Sequence, residues 1–144
     1  MPPATGPAAS RFTLPHSTAA VPMARALVRA ALEDGDRPWP ADRDTAELLT
    51  AELVANAVEH TAEGCPIELV VELLPSGCQV EVHDGDPAPP AGLTEGAPMP
   101  QPDPWQEGGR GLLLIRSLSE TCGHRPTERG KAVWFTLPAA EARP

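Results

Sequence analysis

The sequence predicts an α/β fold: a two-layer α/β sandwich with a mixed, mostly antiparallel sheet and helices on one face. Three segments have helical character, and five short segments with alternating or β-branched residues are typical of strands. Four of those strands occur as two hairpins rather than in regular alternation with helices. This order favours locally paired strands covered by helices and argues against a doubly wound parallel sheet.

The first three elements precede the first hairpin. RFTLP at residues 11–15 predicts a short strand. Apolar residues at helical spacing follow, with Ser17 or Thr18 as the cap and Gly35 as the stop. A second helix is predicted for residues 42–61, ended by the glycine and the proline that come after it.

The rest of the chain supplies two hairpins, an aperiodic segment and a third helix. IELVVELL at residues 67–74 and QVEVHD at residues 79–84 flank a PSGC turn. Residues 85–109 have no periodicity of either kind, which is typical of a functional or disordered segment. GRGLLLIRSLSETC then predicts a helix that Gly123 ends, and residues 124–138 predict two strands about a Gly-Lys turn.

Length and composition suit one domain. The chain has 144 residues, and its core must be built from Ala, Val and Leu because aromatic residues make up only 3%. We expect residues 11–138 to form the domain, with tails at residues 1–10 and 139–144. The three cysteines are odd in number and lack metal-ligand spacing, so we expect reduced, structural thiols.

Charge and hydropathy exclude two classes of partner. The net charge of −9 repels a phosphate backbone, so nucleic acid is not expected as a partner. No apolar run approaches the roughly 18 residues of a membrane span, and the N-terminus lacks the pattern of a secretory signal. The expected location is therefore the cytoplasm.

The helical stretch ELVANAVEH carries a row of polar side chains. Glu52, Asn56 and His60 recur every four residues, beside an apolar stripe that includes Leu49 and Leu53. Carboxylates and amides are expensive to desolvate without partners, so a row at this boundary suits a cleft that holds a polar ligand. The alternative is a solvated helix edge on which Asn56 hydrogen-bonds locally.

Two further motifs place glycine next to groups suited to a ligand. A strand ends at Asp84 and Gly85, where a carboxylate can accept hydrogen bonds from an exocyclic amine; the alternative is an ordinary Asp-Gly turn. EGGRGLLLI places Gly109 and Gly111 around Arg110 at the start of a helix. Unpaired N–H groups and a guanidinium there suit phosphate, and the alternative is a hinge before a buried helix.

Together these motifs resemble the GHKL-type ATPases, the superfamily that includes histidine kinases, gyrase and the Hsp90 chaperone. The shared order is E-x-x-x-N on a helix, a strand-end D-G, a long variable loop and G-x-G-L at a helix start. The segments NAVEH, GRGLLLI and GKAVWFTL look most like the anti-sigma-factor serine kinases, as in short actinobacterial ATP-binding regulators. The resemblance spans about residues 11–138 and implies the Bergerat-type ATP-binding fold.

The resemblance implies roles for residues on the second helix and the first hairpin. Glu52 would be the general base that accepts a proton from a serine hydroxyl or from water, and Asn56 would coordinate Mg²⁺. Asp84 would bind the adenine amino group of ATP, with Gly85 leaving room for the ring. Residues 86–108 would form the ATP lid.

Further roles fall on the third helix and the last strand. By resemblance, Gly109, Arg110, Gly111 and Leu112 wrap the phosphates, and Thr136 supports adenine recognition near the strand-end carboxylate. The implied activity is phosphorylation of an anti-sigma-factor antagonist by a protein that also binds a sigma factor. Members of this family are often homodimers.

One departure from the family pattern keeps a second function open. The first glycine box reads DGDPA, in which Asp86 and Pro87 stand where glycine or small residues are usual. An added negative charge and a stiffer lid entrance both oppose tight ATP binding. The alternative is a catalytically weak or inactive nucleotide-binding interaction module of the same fold, and an unrelated α/β interaction domain is the third reading.

Overall fold

A computed structural model of the chain describes residues 9–33, 42–62, 64–87 and 107–139. The described residues form five strands and three helices. In chain order they are β1 (Ala9–Leu14), α1 (Ala20–Glu33), α2 (Arg43–His60), β2 (Ile67–Leu74), β3 (Gly77–Asp84), α3 (Glu107–Leu118), β4 (Thr121–Pro126) and β5 (Lys131–Pro138). The strands form one sheet in the order β1-β2-β3-β5-β4, and all neighbouring pairs are antiparallel. The predicted two-layer α/β class is confirmed.

The helices cover one face of the sheet and form the core with it. Alternate residues of the central strands point toward the helices, as the fully buried Val80 of β3 and Phe135 of β5 do. Val28 of α1, Leu53 of α2 and Ile115 of α3 pack in the same cluster. None of the described helices is long and apolar enough to cross a membrane.

The helix that carries the polar row, α2, begins and ends close to the predicted residues. Asp42 caps its N-terminus, since the Asp42 carboxylate accepts a hydrogen bond from the Thr45 N–H at 2.9 Å. Thr61 follows the last helical residue in an extended conformation. Leu49 and Leu53 are buried, so the periodicity of the sequence identified the core-facing stripe of this helix correctly.

Two strands begin two residues earlier than predicted. β1 starts at Ala9, and β3 starts at Gly77. Gly77 has a φ of 150°, and a Cβ there would overlap the backbone carbonyl of Leu137 in β5. Only glycine suits that position, because it has neither the steric restriction on φ nor the side chain. A short turn through Pro75 and Ser76 joins β2 to β3.

The third helix begins earlier than predicted. α3 starts at Glu107, so Gly109 and Gly111 lie inside its first two turns rather than before it. Glycine is a poor helix former, but α3 packs against α2, and tertiary packing overrides propensity here. Most of the aperiodic segment, including almost all of the predicted lid at residues 86–108, lies outside the described residues.

The third helix also ends earlier than predicted, at Leu118 rather than at Gly123. The Glu120 N–H donates to the Thr136 carbonyl at 2.8 Å, so the chain has already joined β5 at this point. Gly123 belongs to β4, where a Cβ would lie 2.9 Å from a ring carbon of Trp134. Close packing of the indole, and not helix termination, therefore accounts for Gly123.

Candidate functional site

One end of the sheet brings α2, β3 and β5 together. β3 ends at Asp84 and β5 begins at Lys131, and these two residues lie directly opposite each other in the sheet. β1 ends and β2 begins at the same end. The His16 ring follows β1, and its Nε2 lies 2.8 Å from the Thr61 Oγ1. This contact places the C-terminal end of α2 above the end of the sheet that carries Asp84.

Asp84 is a buried carboxylate of which the described residues engage only one oxygen. Its side chain is 3% exposed and points to the helix-covered face, like Val82 before it. Lys131 Nζ donates to Asp84 Oδ1 at 3.1 Å, and the Asp86 N–H donates to the same oxygen at 2.9 Å. Among the described residues, none donates to Oδ2. Asp84 therefore offers one oxygen as an acceptor.

Lys131 is the counter-charge of this carboxylate. The Lys131 side chain is 5% exposed, and Nζ also donates to the Asp86 carbonyl at 3.0 Å. The preceding Gly130 lies against the Asp84 backbone, where a Cβ would overlap the Asp84 carbonyl oxygen. The missing side chain at Gly130 thus lets β5 start close enough to β3 for the lysine to reach both acceptors.

Gly85 follows Asp84 and lies beside a thiol. A Cβ at Gly85 would stand 3.1 Å from Cys65 Sγ, so the glycine lets the strand end pack closely against the segment that follows α2. Cys65 itself is a half-buried free thiol. The resemblance implied room for a planar ring at Gly85, but Cys65 occupies the side of Gly85 that a Cβ would face.

Glu52 lies between α2 and α3. It is half-buried, and a Cβ built on Gly111 would overlap its carboxylate. Burial raises the pKa of Glu52 above that of an ordinary glutamate, because the charged form loses hydration there. The absence of a side chain at Gly111 therefore has a direct consequence: it gives the Glu52 carboxylate its place beside α3.

The other two members of the polar row differ in exposure. Asn56 lies one helical turn after Glu52 and is half-buried. Within the described part of the chain, no hydrogen bond to the Asn56 carboxamide is formed. His60, another turn further, is 55% exposed, and its Nε2 lies 3.9 Å from a Glu59 carboxylate oxygen. Glu52 and Asn56 thus border the site, whereas His60 lies at the surface.

The backbone at the start of α3 differs from the sequence expectation. The fourth N–H of a helix already bonds to the carbonyl of the residue before the helix, as Met23 does in α1 and Ala46 in α2, so the unpaired N–H groups within α3 are those of residues 107–109. That set includes Gly109 but not Arg110, Gly111 or Leu112, and the Arg110 side chain lies outside the described part of the chain. Leu112 is 7% exposed and packs in the core, so its side chain anchors α3 rather than contacting a phosphate.

The structure does not bring Thr136 to Asp84, which corrects the sequence expectation for that residue. Thr136 lies opposite Gln79 in the sheet, five residues from Asp84 along β3. It also faces the side of the sheet opposite the three described helices, since Phe135 faces the core. Its hydroxyl accepts a hydrogen bond from the Thr121 N–H at 3.1 Å, so Thr136 joins β5 to β4.

Sequence reasoning missed Lys131. The signal was present in KAVWFTL, because alternation along a strand places Lys131 on the same face as Val133 and Phe135. A lysine in a core-facing position is rare unless a carboxylate pairs with it. The alternation of faces along β5, counted from its apolar residues, would therefore have predicted a buried lysine that pairs with a carboxylate.

The comparison with protein families agrees with this geometry. A sequence model of the histidine kinase-like ATPase domain matches residues 14–137. The chain belongs to this family. No curated protein matches the chain. The resemblance to GHKL-type ATPases is thereby confirmed, whereas the anti-sigma-factor kinase subtype stays a prediction.

A histidine kinase-like ATPase domain implies ATP as its nucleotide, and the residues at this site fit that ligand. Asp84 Oδ2 is an acceptor for an exocyclic amine. The N-terminal turn of α3 offers N–H groups for phosphate oxygens. The described residues contain no group of three or more His, Cys, Asp or Glu side chains that could hold a metal ion.

Proposed function

We propose that this chain is an ATP-binding regulatory serine/threonine protein kinase that acts as an anti-sigma factor and phosphorylates an anti-sigma-factor antagonist. The observation that carries the proposal is the half-buried Glu52 carboxylate, which lies on α2 against the start of α3. Burial raises the pKa of Glu52, so its ionised form is a stronger base than an exposed carboxylate. A module that only binds nucleotide has no use for such a base.

In this proposal different residues of the chain accept the proton, coordinate Mg²⁺ and bind the adenine and phosphate groups of ATP. When bound, ATP supplies the transferable γ-phosphoryl group, and Mg²⁺ neutralises phosphate charge. Glu52 accepts the proton of the attacking serine hydroxyl at its carboxylate. Asn56 provides a carboxamide oxygen, the kind of hard ligand that Mg²⁺ prefers. Asp84 holds the adenine amine, and the N–H groups of the first turn of α3 hold phosphate oxygens.

The proposed protein partners are a sigma factor and an antagonist that carries the acceptor serine. Support comes from the small size of the chain and from the segments NAVEH, GRGLLLI and GKAVWFTL, which resemble anti-sigma-factor serine kinases. Phosphoryl transfer needs positioning and charge stabilisation more than covalent chemistry. One acid, one metal ligand and a helix N-terminus are therefore a sufficient set for a small regulatory kinase.

One observation favours the second candidate, a nucleotide-binding interaction module with weak or no catalysis. The residue after Gly85 is Asp86, whose backbone N–H and carbonyl are already bonded to Asp84 and Lys131. A glycine box tied in this way has less freedom to adapt to a nucleotide. In that case ATP acts as a switch for partner binding and is not consumed.

Isothermal titration of the purified chain with ATP, with and without Mg²⁺, tests the proposal first. Mg²⁺-dependent binding is expected, and Asn56→Ala should lose the Mg²⁺ dependence while Asn56→Asp retains it. If the protein does not bind at millimolar ATP in either condition, the nucleotide function is wrong. Unchanged Mg²⁺-dependent affinity in Asn56→Ala would reject only the role of Asn56.

Phosphoryl transfer is tested separately on Glu52. Glu52→Ala and Glu52→Gln should bind Mg·ATP as the wild type does and turn it over about 100-fold or more slowly, a loss typical of a removed general base. Release of ADP gives the rate. If the folded variants lose ATP affinity as well, Glu52 supports the structure rather than catalysis. If the wild type binds Mg·ATP without any turnover or transfer to a serine protein, the interaction module is favoured.

A further inference from the structure

Lys131 presents a question that the proposed function does not answer. A buried ion pair is rarely worth more than a well-packed apolar pair of similar volume, because both charges lose their hydration. Yet Asp84 and Lys131 are both more than nine-tenths buried at the mouth of the site, 3.1 Å apart. The presence of such a pair at this place has a better explanation in ligand recognition than in stability.

The bonding pattern of the pair is asymmetric. Lys131 Nζ and the Asp86 N–H both donate to Asp84 Oδ1. Lys131 Nζ also donates to the Asp86 carbonyl, so the lysine ties the strand end to the loop that follows. The two hydrogen bonds to Oδ1 prevent the Asp84 carboxylate from rotating about its Cβ–Cγ bond. The consequence is a fixed, charge-compensated carboxylate that presents Oδ2 alone to an incoming group.

We propose that Lys131 is the positioning residue for purine selection in this chain: it orients Asp84 so that Oδ2 accepts a hydrogen bond from a 6-amino group and rejects a 6-oxo group. The proposal rests on the nucleotide function proposed above. An oriented carboxylate distinguishes the two purine classes because its oxygen attracts the N–H of an amine and repels a carbonyl oxygen. A freely rotating carboxylate binds the amine less well and therefore discriminates less.

Lys131→Met tests this with ATP and inosine triphosphate, which carries a 6-oxo group in place of the amine. The wild type should bind ATP at least about 10-fold more tightly than inosine triphosphate, as a charge-assisted hydrogen bond implies. In Lys131→Met, ATP affinity should fall by about 10-fold and inosine triphosphate affinity much less. The ratio of the two affinities should therefore fall to about 1–3, as titration calorimetry would measure.

Three companion variants separate positioning from loss of structure. Lys131→Arg keeps the charge and the donors, so it should retain most of the ATP preference that Lys131→Met loses. Val133→Ala, two residues further on the same face of β5, lowers stability without touching the pair, and its ratio should match the wild type. If Lys131→Met does not fold, Lys131→Gln replaces it as the test. Glutamine is one bond shorter than lysine and cannot reach both acceptors, so this variant should also lower the ratio of the two affinities.

The outcomes distinguish the two levels of the proposal. A wild type that binds neither nucleotide overturns the proposed function and, with it, the role of Lys131. A wild type that binds ATP, with the same ATP preference in the folded Lys131→Met or Lys131→Gln variant, overturns the positioning role alone. A fall of the ratio in these variants, with recovery in Lys131→Arg, establishes the role.

Discussion

Glu81 and Asp84 are two buried acids on the same strand, and the difference between them separates a structural group from a proposed binding group. They lie three residues apart on opposite faces of β3. Glu81 faces the side of the sheet opposite the three described helices, where Arg125 donates to both of its oxygens. Gln79 donates to Oε2 at 2.6 Å, and His83 Nε2 lies 2.9 Å from Oε1. Both oxygens of Glu81 accept hydrogen bonds, whereas Asp84 Oδ2 accepts none from the part of the chain that the structure describes.

The electrostatics of Glu81 follow from this complete set of partners. Burial alone would raise the pKa of the carboxyl, but hydrogen bonds from His83 and Arg125, together with their charges, outweigh burial and lower the pKa to about 2. A carboxylate with every acceptor position filled has nothing to offer a ligand. The comparison thus teaches that an available acceptor oxygen, and not burial or charge, distinguishes the proposed binding acid Asp84 from Glu81.

The largest expected effect is on stability and comes from breaking the Glu81 cluster. Arg125→Met leaves a fully buried carboxylate without its bidentate partner, so the free energy of unfolding should fall on the order of 3 kcal/mol. Chemical denaturation measures this loss. Arg25→Met, at an exposed position of α1, is the matched control and should change stability by less than about 0.5 kcal/mol. Similar small losses in both variants would show that the Glu81 cluster contributes little.

The next effect is on binding and comes from neutralising each acid in turn. Asp84→Asn keeps an oxygen for Lys131 but loses the charge-assisted acceptor, so ATP affinity should fall about 10- to 100-fold. Glu81→Gln should bind ATP with wild-type affinity, because Glu81 lies on the other face of the sheet. Titration calorimetry at a temperature where both variants are folded gives both values. An equal loss of affinity in the two variants would contradict the division between the faces.

The same comparison shows how far sequence patterns reach. Alternation and helical periodicity were sufficient for the fold class, and the glycine and proline after α2 were sufficient for its end, because both signals are local in the chain. They did not reveal the Glu81 cluster, since Arg125 lies 44 residues from Glu81 and meets it only through the strand order β3-β5-β4. Contacts between non-consecutive strands depend on register, which a single sequence does not contain.

For the candidate site, Glu52, Asn56 and Asp84 were selected from residue type, spacing and resemblance, and their roles stay predictions. The structure places Asp84 on the helix-covered face of the sheet and the other two on α2. Thr136 was assigned wrongly, because the assignment did not consider which face of the sheet its side chain occupies. Alternate residues of a strand face opposite sides, and Phe135 faces the core, so Thr136 faces away from it. Lys131 was missed for the same reason.

A pH-dependent effect of smaller size separates Glu81 from the other acids. The lowered pKa of Glu81 means that it contributes stability above the ordinary glutamate pKa of 4.5, and that this contribution is lost as the pH falls toward about 2. The wild type should therefore lose more stability over that interval than Glu81→Gln, which has no carboxyl to protonate. Denaturation curves between pH 6 and pH 2.5, roughly spanning this window, measure the difference. Parallel stability curves for the two proteins would contradict the assignment.

The smallest expected effect concerns Gly111 and the place of Glu52. In a helix, alanine is about 1 kcal/mol better than glycine, so Gly111→Ala should stabilise α3 in isolation. Its methyl group would overlap the Glu52 carboxylate, which must then move. We therefore expect a net change in unfolding free energy within about 1 kcal/mol together with a clear loss of ATP turnover.

A double-mutant cycle measures the contact between Gly111 and Glu52 directly. In a Glu52→Ala background Gly111→Ala should stabilise the protein by more, because the Glu52 carboxylate no longer overlaps the added methyl group. If Gly111→Ala stabilises both backgrounds equally and leaves turnover unchanged, the carboxylate does not depend on the missing side chain. In that case hydrogen bonds would explain the available acceptor of Asp84, whereas the place of the Glu52 carboxylate would depend only on its exposure.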